Sequence, residues 1–399
     1  MALFKSIRSI VLLLLAVCAH TALGSAGCRT SRLSAYDSTT GPVAVEASPL
    51  DHFNAVKVPS LNESAWEGWY FDSASNSGKA GATIAFLRDP MFSIFGRGNL
   101  FVLFYAVWED GTTCNIHEFV SEATVQNCDG EISGVWNSTD KSFSFHVTKD
   151  LQSGSFSINA TSMKGTFEIQ SRTAPRYADG SRFPDKHGTV SLAPHDYWVE
   201  GISAGDVSVN LSINSKPLEY FGGGGYGRHY GAVRLDSIIK YWTFSRAYVG
   251  PYAFVFWRVV GKSSDEARVS GVLTKDGKIV VAATTDRQNN LKPYLTFTPT
   301  YHGSVHGSYQ DQSTGYQLDL VNPVDSKRWS FSIEHSRLAY EMGLMGGDGF
   351  GGFVNIVSGG LVGERPSHGT GTTQQNQMAS EGLSSLFSFQ TWAFIGELQ

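Results

Sequence analysis

Residues 221–231, FGGGGYGRHYG, hold the reading on which the fold turns. Gly222, Gly224 and Gly227 satisfy G-x-G-x-x-G, the spacing of a phosphate-binding loop. Such a loop works because it follows a strand and opens a helix whose free amides and positive dipole end face the phosphates. The residues that follow, AVRLDSIIKYWTFSRAYVG (232–250), contain no N-cap leading into a 3.6-residue apolar period. They set aromatic and β-branched residues in near alternation, which is the pattern of strands. No lysine follows the glycines as a Walker motif requires. The stretch is therefore read as β-structure, and no nucleotide or other cofactor is expected. Glycine there lets the backbone bend at a strand start or admits a close neighbour, which would present Arg228, His229 and Tyr230 at a pocket mouth. A plain surface loop carrying an exposed His229 is the alternative.

The rest of the chain agrees with strands. TIAFL, FVLFYAVW, SFSFHVT, SFSINAT, GTFEIQS, YAFVFWRVV, KIVVAATT and RWSFSIEH are short, apolar or alternating, and separated by Gly, Asp, Asn and Ser clusters. This predicts an all-β protein of antiparallel barrel or sandwich type. The roughly 370 residues beyond position 24 exceed one small barrel, so two β-domains are expected. An internal echo supports two units: Trp69-x-Phe71-x-x-Ala74 and Trp242-x-Phe244-x-x-Ala247 each precede a turn and an apolar strand ending in arginine, Arg88 and Arg258. The expected division is a signal peptide over 1–24, a polar leader over 25–44, and β-domains over 45–215 and 216–399.

The leader MALFKSIRSIVLLLLAVCAHTALGS has basic residues, an apolar run and small residues before Ser25, as a secretory signal does. The apolar run is shorter than the ~20 residues a span requires, so no stable membrane span is expected. Sequons at Asn62, Asn137, Asn159 and Asn210 fit a secreted or lumenal glycoprotein. Of the cysteines left after the signal, Cys114 and Cys128 flank a segment that reads as strand, turn and returning strand, which predicts a hairpin disulfide with Cys28 unpaired. A net charge of −5 without a basic run excludes nucleic acid as an expected partner. His302 and His306 would lie ~13 Å apart on a strand, too far for one metal ion. No metal site is expected.

AWEGWYFDSAS (65–75) resembles the opening signature of the first lipocalin-like domain in the carotenoid hydratase superfamily, and GGGYGRHYG (223–231) followed by WTF resembles the opening of its second. Within that superfamily the layout is most similar to the fungal lipocalin-like Diels–Alderases of natural-product pathways. The resemblance implies two lipocalin-like β-domains packed together. It also implies a cofactor-independent [4+2] cycloaddition of small apolar or aromatic substrates. Arg228 and His229 stand where hydratases carry acidic and histidine residues, which favours cycloaddition over hydration. Combined with the secretory leader, the resemblance points first to a hetero-Diels–Alder coupling of a tropolone quinone methide, formed by dehydration, with a humulene-type sesquiterpene. Intramolecular decalin formation from a polyene, a non-catalytic carrier of apolar ligands and a surface protein are the alternatives.

Strand parity nominates the site residues. Glu67, Trp69 and Phe71 share one face, while Trp66, Gly68, Tyr70 and Asp72 share the other; Trp242, Phe244 and Arg246 share a face in the second unit. With both faces inward they would wall one cavity between the domains. Glu67, Arg228, His229 and Arg246 would then serve as catalytic groups, and Trp69, Phe71, Tyr230, Trp242 and Phe244 as substrate contacts. The competing readings are ordinary core for the aromatics and an ion pair with an arginine for Glu67.

Overall fold

The computed structural model describes residues 27–51, 53–343 and 348–377; the expected signal peptide over 1–24 lies outside them. Antiparallel strands make up most of the described chain, which holds very little helix. A first sheet opens with β1 (Arg29–Ser34), β2 (Trp66–Ser75), β3 (Gly81–Arg88), β4 (Leu100–Val107) and β5 (Thr113–Phe119). It continues with β6 (Glu122–Cys128), β7 (Glu131–Ser138), β8 (Lys141–Val147), β9 (Ser153–Asn159) and β10 (Met163–Ser171). The short β11 (Arg176–Tyr177) and β12 (Ser191–Ala193) pair with β13 (Asp196–Ile213), which turns into β14 (Lys216–Gly231). A second sheet holds β15 (Ile239–Val249), β16 (Tyr252–Gly261), β17 (Ala267–Lys275), β18 (Lys278–Ala283) and β19 (Tyr294–Thr300). Its remaining strands are β20 (Gly315–Asn322), β21 (Lys327–Gly343), β22 (Gly349–Leu361) and β23 (Ser367–Gln377).

Both sheets curl into near-closed barrels by the same rule. The last strand pairs with the strand that carries the Trp-x-Phe echo, β14 with β2 and β23 with β15. Each sheet is interrupted after the fourth strand counted from that echo, between β5 and β6 and between β18 and β19. The echo therefore marks equivalent strands of two similar units. All eight strand segments named from the sequence are strands here. Alternation sends Trp69, Phe71, Phe86, Trp136 and Phe145 into the first barrel core, and Phe254, Phe256, Leu318 and Phe331 into the second.

The glycine-rich stretch is not the opening of the second unit. It is the C-terminal part of β14, hydrogen-bonded between β13 and β2, so the chain changes sheet over residues 232–238 rather than at 215/216. The polar leader also holds more than expected, because β1 extends the first sheet by pairing with β6.

The Cys114–Cys128 hairpin disulfide is corrected by the same topology. β5 and β6 are consecutive but do not pair, so a cysteine at the start of one and a cysteine at the end of the other are not cross-strand neighbours. Instead the β1–β6 register sets Arg29 opposite Asn127, which brings Cys28 against Cys128; their Cα atoms are 4.2 Å apart and the sulfurs are bonded. Cys114 is free and half-buried, and burial pushes its thiol up to about 11. Among the sequons, Asn62 is the buried one. Its side-chain amide donates to Gly41 O at 2.9 Å and accepts from the Ala65 backbone amide at 2.7 Å. Asn137 donates to Glu122 Oε1 at 3.1 Å, whereas Asn159 and Asn210 are exposed. A non-reducing peptide map of protein from a eukaryotic host should link Cys28 to Cys128 and leave Cys114 alkylatable after denaturation. The same map reads whether Asn159 and Asn210 carry glycan. A Cys114–Cys128 peptide would refute the strand order.

Candidate active site between the two barrels

Parity on β14 and β2 sorts the expected site residues into two separate places. Tyr226, Arg228 and Tyr230 point into the first barrel, as do Glu67, Trp69 and Phe71. Gly223, Gly225, Gly227 and His229 point the other way, at side chains of the domain interface. Glu67 and Arg228 thus do not converge with His229 and Arg246 in one cavity, because neighbouring residues of an extended strand face opposite sides.

Inside the first barrel Glu67 is ion-paired. Its Oε1 accepts from Arg228 Nη2 and from the Lys57 amide at 2.7 Å, and its Oε2 lies 3.7 Å from Arg88 Nη1. The Arg228 guanidinium lies over the Trp69 ring, 4.8 Å from its centroid. Arg228 Nη1 also donates to Ala55 O, which ties down the chain segment that plugs this barrel. A buried carboxylate paired in this way holds strands and plug together. Removing one partner of such a pair costs about 3–5 kcal/mol.

The interface between the barrels is built on bare backbone. A Cβ on Gly225 would overlap the Arg246 guanidinium, one on Gly223 would overlap the Tyr248 ring, and one on Gly227 the Trp198 ring. This is the close approach that the three glycines on this face allow. Lying across Gly225 of β14, Arg246 bonds to two further strands of the other barrel, β2 and β13. Nε donates to both Asp72 oxygens at 3.2 Å, Nη2 to Glu200 Oε2 at 3.0 Å, and Nη1 to Ile202 O at 3.0 Å. Thr372 donates to Asp72 Oδ1 at 3.0 Å. Burial works against all these charges, raising Asp72 and Glu200, yet the two carboxylates outweigh it for Arg246, which stays firmly protonated. Arg246 is a clamp between domains.

Beside the clamp lies an aromatic cage around His229. Trp66, Trp198 and Trp257 stand 4.7, 5.3 and 5.7 Å from its ring, with Tyr70 at 6.2 Å. Phe244 packs on Trp257 at 4.7 Å. His229 Nε2 is 2.5 Å from Asp196 Oδ1, an oriented imidazole–carboxylate pair that is almost fully buried. Next to the cage, the β15–β23–β22 register lays Trp242, Asn376 and Phe350 in one row. Trp242 Nε1 and Asn376 Oδ1 are buried and make no hydrogen bond. The region thus combines apolar walls, unsatisfied donors at Trp242 and Trp257, an unsatisfied acceptor at Asn376 and an acid–base pair. Two interdomain cavities flank the clamp, of about 20 and 10 Å³, far below the ~300–1,000 Å³ of sites that hold whole small molecules. Among the described residues, no group of three or more His, Cys, Asp or Glu is placed to hold a metal ion.

Of the expected residues, the structure brings His229, Trp242, Phe244 and Arg246 to the interface. It keeps Glu67, Trp69, Phe71, Arg228 and Tyr230 inside the first barrel. Asp196, Trp198, Trp257, Asn376 and Tyr70 join the interface without having been singled out. Tyr70 was visible on the opposite parity face of the opening motif; the others come from distant strands.

Residues 25–379 match the family described as Diels-Alderase-like. The chain is 34% identical over 354 residues to the hexane cyclase pydB of an Acremonium species, covering 87% of this chain and 82% of that protein. It is 33% identical over 380 residues to the Diels-Alderase mycB of Thermothelomyces thermophilus, covering 92% and 86%. The crystal structure of CghA with Sch210972 superposes with a TM-score of 0.76 at 26% identity, covering 88% of this chain and 99% of that one.

Proposed function

The chain belongs to the Diels-Alderase-like family and is a ring-closing enzyme of the pericyclase class, and from that premise we propose that it catalyses an intramolecular [4+2] cycloaddition without a cofactor. In this reading one polyene chain brings diene and dienophile into the space between the barrels. The observation that carries the reading is the Trp242–Asn376 pair, a buried N–H donor and a buried carbonyl acceptor with no protein partner, set in an aromatic wall. Such a pair fits a dienophile carbonyl flanked by an N–H or O–H. A cycloaddition forms two σ bonds from π electrons within the reactants and transfers no group. Holding the two ends in reacting geometry can therefore supply most of the acceleration, through effective molarity. The Trp242 N–H adds stabilisation as negative charge builds on the carbonyl oxygen. The names of the relatives, Diels-Alderase and hexane cyclase, support ring formation.

A specific observation favours the hetero-Diels–Alder reading as the second one. Dehydrating a hydroxymethyl tropolone to a quinone methide needs a proton delivered to the leaving hydroxide and one removed from the ring oxygen. The His229–Asp196 pair is suited to that exchange. The humulene-type alkene would then be captured in the same aromatic space. Purified protein should be given a linear polyene carrying diene and activated alkene, and separately a hydroxymethyl tropolone with a humulene-type alkene, with product isomer ratios compared against the uncatalysed reactions. Enhanced, stereochemically biased closure of the polyene, retained in His229→Gln, is the expected result. Turnover confined to the tropolone pair and lost in His229→Gln would establish the second reading, and unaltered ratios for both would overturn the two together.

A further inference from the structure

The larger interdomain cavity is not used by the chemistry above. It lies between β11 and β13 of the first barrel and β16 and β17 of the second. Thr173 Oγ1, Arg176 Nε, Ser203 Oγ and Trp257 Nε1 belong to residues that line it, and all four are buried atoms without a hydrogen-bond partner. Each of the four can donate a hydrogen bond. Burying so many donors unpaired around one small space is costly, and the cost falls if one acceptor serves them together.

The charge of the site has the same sense. Burial and Arg182 pull Arg176 down to about 10, with Glu200 acting the other way, so it stays protonated at neutral pH. Glu200 faces Arg176 in the β11–β13 register, but its oxygens are engaged elsewhere, Oε2 by Arg246 at 3.0 Å and Oε1 by Trp198 at 2.6 Å. The other lining hydroxyls are engaged with backbone, Ser270 with Ala178 O and Thr274 with Ala253 O at 3.1 Å. What remains directed at the cavity is cationic and donor-rich. Its volume of about 20 Å³ exceeds the ~10–15 Å³ that a water-sized occupant needs and excludes a whole organic substrate.

We propose that this cavity is a binding site for a small monovalent anion, a halide or the carboxylate tip of a short acid, held by Arg176, Thr173, Ser203 and Trp257 at the domain interface. Because walls from both barrels supply the donors, the bound anion fastens one barrel to the other. Trp198 and Trp257 line this cavity and also pack against His229, so occupancy also stiffens the cage.

The test is thermal unfolding of the full-length protein in sodium chloride, sodium acetate and sodium gluconate at one ionic strength. Gluconate, too large to enter, isolates general screening. A saturable rise in Tm of several degrees in chloride or acetate over gluconate is expected, since a ligand that binds the folded state stabilises it by mass action. A rise in chloride alone assigns a halide, and a rise in both assigns a site open to carboxylates. Arg176→Met should melt cooperatively without anion dependence, and Ser203→Ala should weaken anion affinity several-fold while keeping its backbone bond to Arg246. Bromide-soaked crystals of the unmodified protein should show anomalous density at the cavity, which decides the matter even if Arg176→Met fails to fold. Equal Tm in all three salts together with no bromide peak would overturn the proposal.

Discussion

Gly225→Ala is expected to destabilise the protein by about 4 kcal/mol or more, a large part of the ~5–15 kcal/mol that holds a typical fold together. The added methyl would occupy the space of the Arg246 guanidinium, which is buried and held by Asp72, Glu200 and two carbonyls. Overpacking alone costs about 1–3 kcal/mol, but here relief requires Arg246 to withdraw. That would strand two buried carboxylates, and the ~3–5 kcal/mol cost of an uncompensated buried charge adds to the strain. Denaturant unfolding of Gly225→Ala against Gly343→Ala, where a Cβ meets no atom within 4 Å, reads the effect. The decisive measurement is the double mutant. In an Arg246→Met background the flexible methionine can give way, so most of the extra cost of alanine should vanish. Equal costs in both backgrounds would mean that the glycine serves the strand backbone and not the clamp.

That clamp also shows how far a single chain of letters carries. Period-two alternation located the strands because a half-buried strand must alternate, and the Trp-x-Phe echo marked the two strands at which the barrels close. Parity correctly separated Glu67, Trp69 and Phe71 from Tyr70 and Asp72, but parity does not say which face meets the core and which meets the other domain. A carboxylate among aromatics looked like a site, and it is an ion pair inside a barrel. The informative signal was that 223, 225 and 227, which share one face of a strand, are all glycine. It left one face of β14 without side chains, and a bare face next to a domain boundary has to receive large side chains from elsewhere. The partners themselves were not legible: Asp196 meets His229 only through the β13–β14 pairing, and Asn376 meets Trp242 only through the pairing of the last strand with the first. The disulfide failed for the same reason. Sequence proximity suggested a hairpin, whereas the break in the sheet sent Cys128 to β1.

Trp242→Phe is expected to lower kcat for ring closure by about 10²-fold, within the ~10²–10³-fold that loss of one oxyanion-type donor costs. The side chain is half-buried on the interdomain face of β15, opposite Asn376, and its Nε1 has no partner in the folded protein. Phenylalanine keeps an aromatic ring in the wall while deleting that N–H. Since no protein hydrogen bond is lost, stability should be unchanged or slightly raised, in contrast to the usual penalty for orphaning a buried partner. Binding of the ground-state substrate, held mainly by apolar contact, should also change little. The loss should therefore fall on kcat and leave KM nearly constant, the signature of an interaction strengthened in the transition state. Asn376→Leu, which removes the acceptor, should instead raise KM for substrates with an N–H or O–H beside the carbonyl and spare those without one. Steady-state kinetics on the polyene substrate, alongside thermal unfolding of each variant, separates these outcomes. A Trp242→Phe enzyme with unaltered kcat would remove the donor from the mechanism and leave shape alone to account for the catalysis.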